Sequence, residues 1–206
     1  MEIRPLRPED AEVAARLHYQ GQQHTFLGQM GVPFLTALYR ELAASPWGFG
    51  LVAVAGGEVV GVVTATRSTP NLFRDLLLRR GWRLLRPTLG ALLRRPAFVR
   101  HALETLTYPW KVGHVERGEF EFLFMGVRRD WRGRGVGGRL MDELIAECRR
   151  RGGRTLSTLV EDSNAISVQM HLNRGFRARK QIVLYGRPMG FYTLDLQEPA
   201  GEGARP

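Results

Sequence analysis

The chain has 206 residues, 44% of them hydrophobic, which suits a single domain with a sizeable core. Its formal net charge is +10, carried by 28 arginines and only two lysines, Lys111 and Lys180, a bias that a GC-rich genome produces as readily as a function does. A lone cysteine, Cys148, excludes an intramolecular disulfide; five histidines without ligand spacing give no metal site; and the longest apolar run, residues 51–63, is broken by Glu58 and three glycines and is no transmembrane segment.

The first ten residues are charged from Glu2 onward and do not read as a signal peptide, so a cytoplasmic protein is the expectation. Residues 1–6 alternate apolar and polar and predict a strand. Pro8, Glu9 and Asp10 supply first-turn residues for a helix to about Tyr19. Pro33 opens a second helix with Phe34, Leu38 and Leu42 on one face, closed by Ser45 and Pro46. Residues 20–31 between them read as a glycine-punctuated loop. Residues 49–55 and 59–65 are β-branched runs joined by Gly56, Gly57 and Glu58, a hairpin.

Leucines and aromatics then recur at helical spacing in residues 71–80, 82–93 and 98–106, punctuated by Gly81, Pro87 and Pro96, which predicts a helical insertion over about residues 70–112. Between Arg74 and Arg100 eight arginines stand against one acid, Asp75. Two readings stay open. The leucines pack on the sheet or on another subunit, giving a homodimer, or the basic face docks an acidic partner or an anionic membrane surface.

Residues 119–127 form an apolar strand that runs into a glycine-rich loop. The helix after it has Val136, Leu140, Leu144 and Cys148 at four-residue spacing, arginines 149–151 in its last turn and Gly152 as a stop. Cys148 on that apolar face reads as a packing residue rather than a nucleophile. Gly133, Gly135, Gly137 and Gly138 remove β-carbons, so backbone N–H groups converge at the positive end of the helix, and phosphate is the expected guest. A nucleoside-triphosphate P-loop needs a lysine after its glycines, and none follows. The dinucleotide fingerprint is literally present as Gly133, Gly135 and Gly138, with Glu161 ending the next strand. Five residues separate Val127 from Gly133, however, and too little chain remains for further strand–helix–strand units. Downstream lie a strand at residues 155–161, a helix from Asn164 to near Gly175, and a strand pair at 181–185 and 191–196 turned by Gly186, Pro188 and Gly190. One domain over residues 1–197 is expected, with 198–206 a disordered tail.

A third loop type fits better. Arg132-x-x-Gly135-x-Gly137 and Asn164-x-x-Ser167-x-x-x-His171-x-x-x-Gly175-Phe176 stand in register with two motifs of the GNAT superfamily of N-acetyltransferases, which the chain resembles over roughly residues 119–195 and more weakly over the first 65. The departures are Ser167 for alanine and His171 for tyrosine. The resemblance implies an α/β fold with a mixed, mostly antiparallel central sheet flanked by helices; the insertion before the central strand is an addition to it. It also implies acetyl-CoA as co-substrate. Backbone N–H groups of Arg132, Gly133, Arg134, Gly135, Val136, Gly137 and Gly138 hold its pyrophosphate, Met125 and Val127 pair with the pantetheine arm, and Asn164 and Ser167 line the opening.

By the same resemblance Gln23 and His24 wall the acceptor pocket, where the plainer reading is a solvated loop. Glu121, eleven residues before Arg132, matches the position of a catalytic base, and on strand alternation it shares a face with Glu119. The plainer reading is a pair of edge charges. His171 takes the place of the tyrosine that reprotonates the leaving thiolate; the plainer reading is a helix histidine packed beside Phe176. The expected reaction is direct transfer of an acetyl group to the primary amine of a small molecule or peptide. A basic nucleic-acid or membrane-surface binding module and a dinucleotide-dependent oxidoreductase are the alternatives.

Overall fold

Two adjacent runs of β-branched and small residues are buried along most of their length, so both of their faces need cover and they belong in the interior of a sheet. The computed structural model describes residues 1–84, 88–89, 119–184 and 186–197. The strands are β1 (Glu2–Pro5), β2 (Gly48–Ala55), β3 (Glu58–Thr66), β4 (Glu119–Val127), β5 (Thr155–Glu161), β6 (Arg177–Leu184) and β7 (Arg187–Asp195). They form one sheet in the order β1-β2-β3-β4-β5-β7-β6, antiparallel throughout except for the β4–β5 pair. That pair is parallel because a helix, α5 (Val136–Arg150), carries the chain from the end of one strand back to the start of the next.

Helices cover both faces. On one face α5 buries Val136, Leu140, Met141, Leu144, Ile145 and Cys148 against Phe49, Leu51, Val60, Val63 and Phe120, with α6 (Ala165–Leu172) beside it. On the other, α1 (Ala11–Gln22), α3 (Val32–Ala44) and α4 (Thr69–Leu78) pack Ala14, Leu17, Leu35, Leu42, Leu72 and Leu76 on Val52, Val62 and Phe124.

The α/β fold with a mixed, mostly antiparallel sheet is as expected, and β4 and β5 have the expected limits. Three details differ. The expected loop at 20–31 contains the end of α1 and a short helix, α2 (Phe26–Gln29), which Thr25 caps by accepting a hydrogen bond from the Gly28 N–H at 3.2 Å. The strands β6 and β7 both start four residues earlier than expected: exposed Arg177, Arg179 and Lys180 show no apolar alternation, which an outer strand does not need, and their charge discourages edge-to-edge pairing, while Pro188 and Gly190, expected in the turn, lie within β7.

The insertion begins as helix, but Arg80 is turned inward rather than presented as a basic surface, and the half-exposed Arg83 reaches back to the same buried carboxylate. Arg80 bonds Glu41 at 2.9 Å, Asp75 at 3.1 Å and the Ala44 carbonyl at 3.0 Å; Arg83 reaches Glu41 at 3.1 Å. The expected helix at 98–106, Arg86, Arg94, Arg95, Arg100 and the tail at 198–206 lie outside the described residues. Among the described residues no helix is long and apolar enough to cross a membrane.

Candidate active site

The β4–β5 ladder is short. Register runs Glu119 to Thr155, Phe120 to Leu156 and Glu121 to Ser157, and stops there. Past that point β4 continues to Val127 paired only with β3, and β5 continues to Glu161 paired only with β7. The sheet therefore opens into a wedge-shaped slot, closed at its narrow end by the Ser157 hydroxyl donating to the Phe120 carbonyl at 3.1 Å.

A β-bulge accompanies the opening. On β3, Thr64 and Ala65 are consecutive, yet their partners are Phe124 and Phe122, which leaves Leu123 as the extra residue on β4. Strict alternation puts Glu121, Met125 and Val127 on one face. The extra residue reverses the phase: Met125 and Val127 pack with the α5 core, while Leu123 and Phe124 belong to the opposite one. Glu121 pairs across from Thr66 on that opposite face and accepts a hydrogen bond from the hydroxyl of Thr69, the first residue of α4.

At the mouth of the slot the chain makes a 3-10 turn, Arg129–Trp131, and Arg132 folds back to donate to the Val127 carbonyl at 3.1 Å. Gly133 and Gly135 take φ of 74° and 75°, and a β-carbon on either meets nothing within 4 Å. A left-handed backbone with open space outside it is what an N–H cradle for an anion requires. Gly135 is the N-cap of the 15-residue α5, whose first turn carries no acid, and exposed Arg132, Arg134 and Arg139 surround it. Gly138 answers a different demand. The Arg174 guanidinium crosses over it, donating to its carbonyl at 3.2 Å, and a β-carbon there would stand 3.0 Å from that group. Arg174 also donates to Asp142 at 2.6 Å and to the Met170 carbonyl at 3.0 Å, locking α5 to α6. A β-carbon on Gly137 would meet the Met125 and Val127 side chains at ordinary contact distance.

His171 is fully buried, edge-on to Phe122 at 5.4 Å and to Phe176 at 4.9 Å. Its Nδ1 lies 2.7 Å from the Ser167 carbonyl, so Nδ1 carries the proton and Nε2 is an acceptor, buried without a partner among the described residues. Burial lowers its pKa from the usual 6.5; the Ser167 carbonyl offsets this in part and Arg174 adds to it. The ring is held neutral with Nε2 unprotonated, which is not the form that delivers a proton. Asn164 is the N-cap of α6, its side-chain oxygen accepting from the Ser167 N–H at 3.1 Å, so those two residues are joined to each other.

On the acceptor side Gln23 and His24 are exposed at the end of α1, and His24 Nε2 approaches Glu161 to 3.9 Å, so the segment after α1 reaches across to the end of β5. Arg187 at the start of β7 donates to the same carboxylate at 2.9 Å. Burial tends to raise the Glu161 pKa, but the hydrogen bond from Ser163 and the charge of Arg187 outweigh it and hold it below the ordinary value. Thr69, Glu161, Arg174 and Arg187 are absent from the sequence-derived site. The pairings Thr69–Glu121, Arg174–Gly138 and Arg187–Glu161 span 26 to 52 residues, and no local period marks them. Cys148 is fully buried in the α5 core with its thiol pushed up to about 12 by burial. No cluster that could hold a metal occurs among the described residues.

These features suit the phosphate and pantetheine parts of acetyl-CoA: an open left-handed glycine at a helix N-terminus and a strand edge released from its neighbour.

Comparison with known proteins points the same way. A model of the Acetyltransferase (GNAT) family matches residues 18–176. L-methionine sulfoximine/L-methionine sulfone acetyltransferases of Pseudomonas aeruginosa and Pseudomonas paraeruginosa are each 30% identical over 153 residues, which is 71% of this chain and 84% of theirs. Among solved structures, an N-acetyltransferase from Staphylococcus aureus Mu50 superposes with a TM-score of 0.63 at 18% identity, covering 95% of this chain and 98% of its own. The yncA structure from Salmonella typhimurium, solved with its cofactor acetyl-CoA, gives 0.63 at 20% identity, with 100% and 99% covered.

Proposed function

The chain belongs to the GNAT family of acetyltransferases, with acetyl-CoA as co-substrate, and from that premise we propose that it moves the acetyl group directly onto the primary amine of a small, amino-acid-like acceptor. The observation that carries the reading is the slot. It admits an extended thioester arm along β4 from the α5 side and leaves Glu121 facing the other side, where an amine arrives.

In this reading the N–H groups from Arg132 to Gly138 hold the pyrophosphate, Met125 and Val127 border the arm, and Asn164 and Ser167 stand at the rim. Glu121 receives the proton of the ammonium, directly or through one water. The amine nitrogen bonds to the acetyl carbonyl carbon as the carbon–sulfur bond breaks; the second nitrogen proton passes through water to the departing thiolate, which leaves as the free thiol. Positioning two substrates in line contributes roughly 7–11 kcal/mol, against roughly 3–5 kcal/mol for a general base, so the slot matters more than any one side chain. The thiolate-acid role expected for His171 does not follow from its position, because its only proton points at the Ser167 carbonyl. Burial of Cys148 favours direct transfer over a cysteine-bound acyl intermediate.

The acceptor class rests on the Pseudomonas relatives, whose substrates are amino-acid derivatives. Gln23, His24, Glu161 and Arg187 wall the pocket and supply both signs of charge for such a zwitterion. The test is a panel of primary amines, including L-methionine sulfoximine and L-methionine sulfone, with release of free thiol from acetyl-CoA as the readout. Turnover of an amino acid or its derivative is expected. Turnover confined to polyamines or to protein N-termini overturns the acceptor class, and no thiol release with any amine overturns the reading.

A further inference from the structure

Residue Thr69 lies at the start of the helical insertion, 52 residues from Glu121 in the chain, and is 3% exposed. Its surroundings leave it little freedom. The Thr66 hydroxyl donates to the Trp47 carbonyl at 2.9 Å and accepts from the Ser68 N–H at 3.1 Å, which fixes the turn that leads into α4. At the far end of the helix Asp75 accepts from the Ser45 hydroxyl at 2.7 Å and from Arg80, which itself is bound to Glu41 of α3. Leu72 and Leu76 bury the side between. The helix is thus pinned at both ends, and a β-branched residue at its first position has few rotamers in which to hold a hydroxyl.

We propose that Thr69 is a positioning residue for the reaction: its hydroxyl, held by α4, fixes the carboxylate of Glu121 toward the acceptor amine, so that the insertion's first helix is part of the catalytic apparatus. This rests on Glu121 being the base. A donor aimed at one carboxylate oxygen selects a single rotamer of a long, flexible side chain, and a base acts only when its reach to the proton is right. Nothing about binding of acetyl-CoA is touched, since Thr69 is on the opposite face of the sheet from α5 and its glycine loop.

The experiment is steady-state kinetics on Thr69→Val, Thr69→Ser, Glu121→Gln and the double variant Thr69→Val/Glu121→Gln, with melting temperature recorded for each. Thr69→Val keeps the shape and removes the donor; kcat is expected to fall about tenfold with the KM for acetyl-CoA unchanged. Thr69→Ser restores most of the rate, and in the Glu121→Gln background Thr69→Val costs nothing more. If Thr69→Val loses stability, Thr69→Ala against Thr69→Ser makes the same comparison without the branched shape. A slow Glu121→Gln beside a Thr69→Val of wild-type kcat overturns the positioning role and leaves the base reading standing. A Glu121→Gln of wild-type kcat removes the base reading, and this inference with it. An equal cost of Thr69→Val in both backgrounds shows that Thr69 acts by another route and also overturns the proposal.

Discussion

The guanidinium of Arg80 lies 2.9 Å from the carboxylate of Glu41, and this pair ties the start of the insertion to α3. Glu41 is 2% exposed, with Arg80 and Arg83 both directed at it. Arg80→Ala takes a guanidinium from the buried Asp75 and leaves the buried Glu41 with only the half-exposed Arg83, so it should lose about 2–3 kcal/mol of stability, while Arg79→Ala, at a solvent-exposed position, should change it by less than about 0.5 kcal/mol. Urea denaturation of both variants measures the difference. Equal midpoints would mean that the arginines following α4 serve a surface and not the fold.

Acetyl-CoA binds only the folded protein and should raise its melting temperature. Gly135→Val should abolish the shift, since its side chain projects into the open space outside the loop and its φ of 75° costs a β-branched residue about 1–2 kcal/mol. The informative partner is Arg174→Gln. It leaves the loop's own glycines intact but releases the Gly138 carbonyl, and should weaken acetyl-CoA severalfold without abolishing binding. Isothermal titration reads both; full affinity in Gly135→Val would sink the assignment of the loop. NADH should give no shift.

The buried His18 should make the protein acid-sensitive. It stacks on Phe124 at 4.2 Å, its Nδ1 lies 2.7 Å from the Tyr39 hydroxyl, and burial lowers its pKa to about 4. In the unfolded chain a histidine titrates near 6.5, so between the two values the unfolded state binds the proton and the folded state does not. The stability due to a neutral His18 is complete above about pH 6.5 and falls as pH drops toward about 4, by roughly 3 kcal/mol in all. His171, also lowered by burial, adds to the loss with the same sign. Urea midpoints at pH 7.5 and 4.5 should lie closer together in His18→Gln than in the wild type. A variant as pH-dependent as the wild type would assign the acid sensitivity elsewhere.

For His171 the expected outcome is a structural one. His171→Phe places one more ring among Phe122 and Phe176 and removes an orphaned nitrogen, so kcat should stay within about threefold of wild type with a parallel pH profile. A fall in kcat of a hundredfold or more, at unchanged acetyl-CoA affinity, would restore it as the acid for the leaving thiolate.

Local pattern alone determined the strand–loop–helix at residues 119–150, because β-branched and aromatic runs, glycines and four-residue spacing are properties of neighbours in the chain. The same holds for the Asn164 cap, whose partner is three residues away. Where one extra residue sits in a ladder is a property of two strands, however, and the bulge at Leu123 decided that Glu121 faces away from Met125 and Val127. Other features that tertiary structure alone decided are contacts between distant segments: Thr69 to Glu121, His24 to Glu161, Arg174 to Gly138, and Arg80 to Glu41. Each joins polar groups whose choice of partner depends on which elements the hydrophobic packing brings side by side. A charged side chain carries no period that says whether it will meet water or a buried carboxylate, which is why residues 74–100 read as a basic surface while Arg80 and Arg83 are both paired with the buried Glu41.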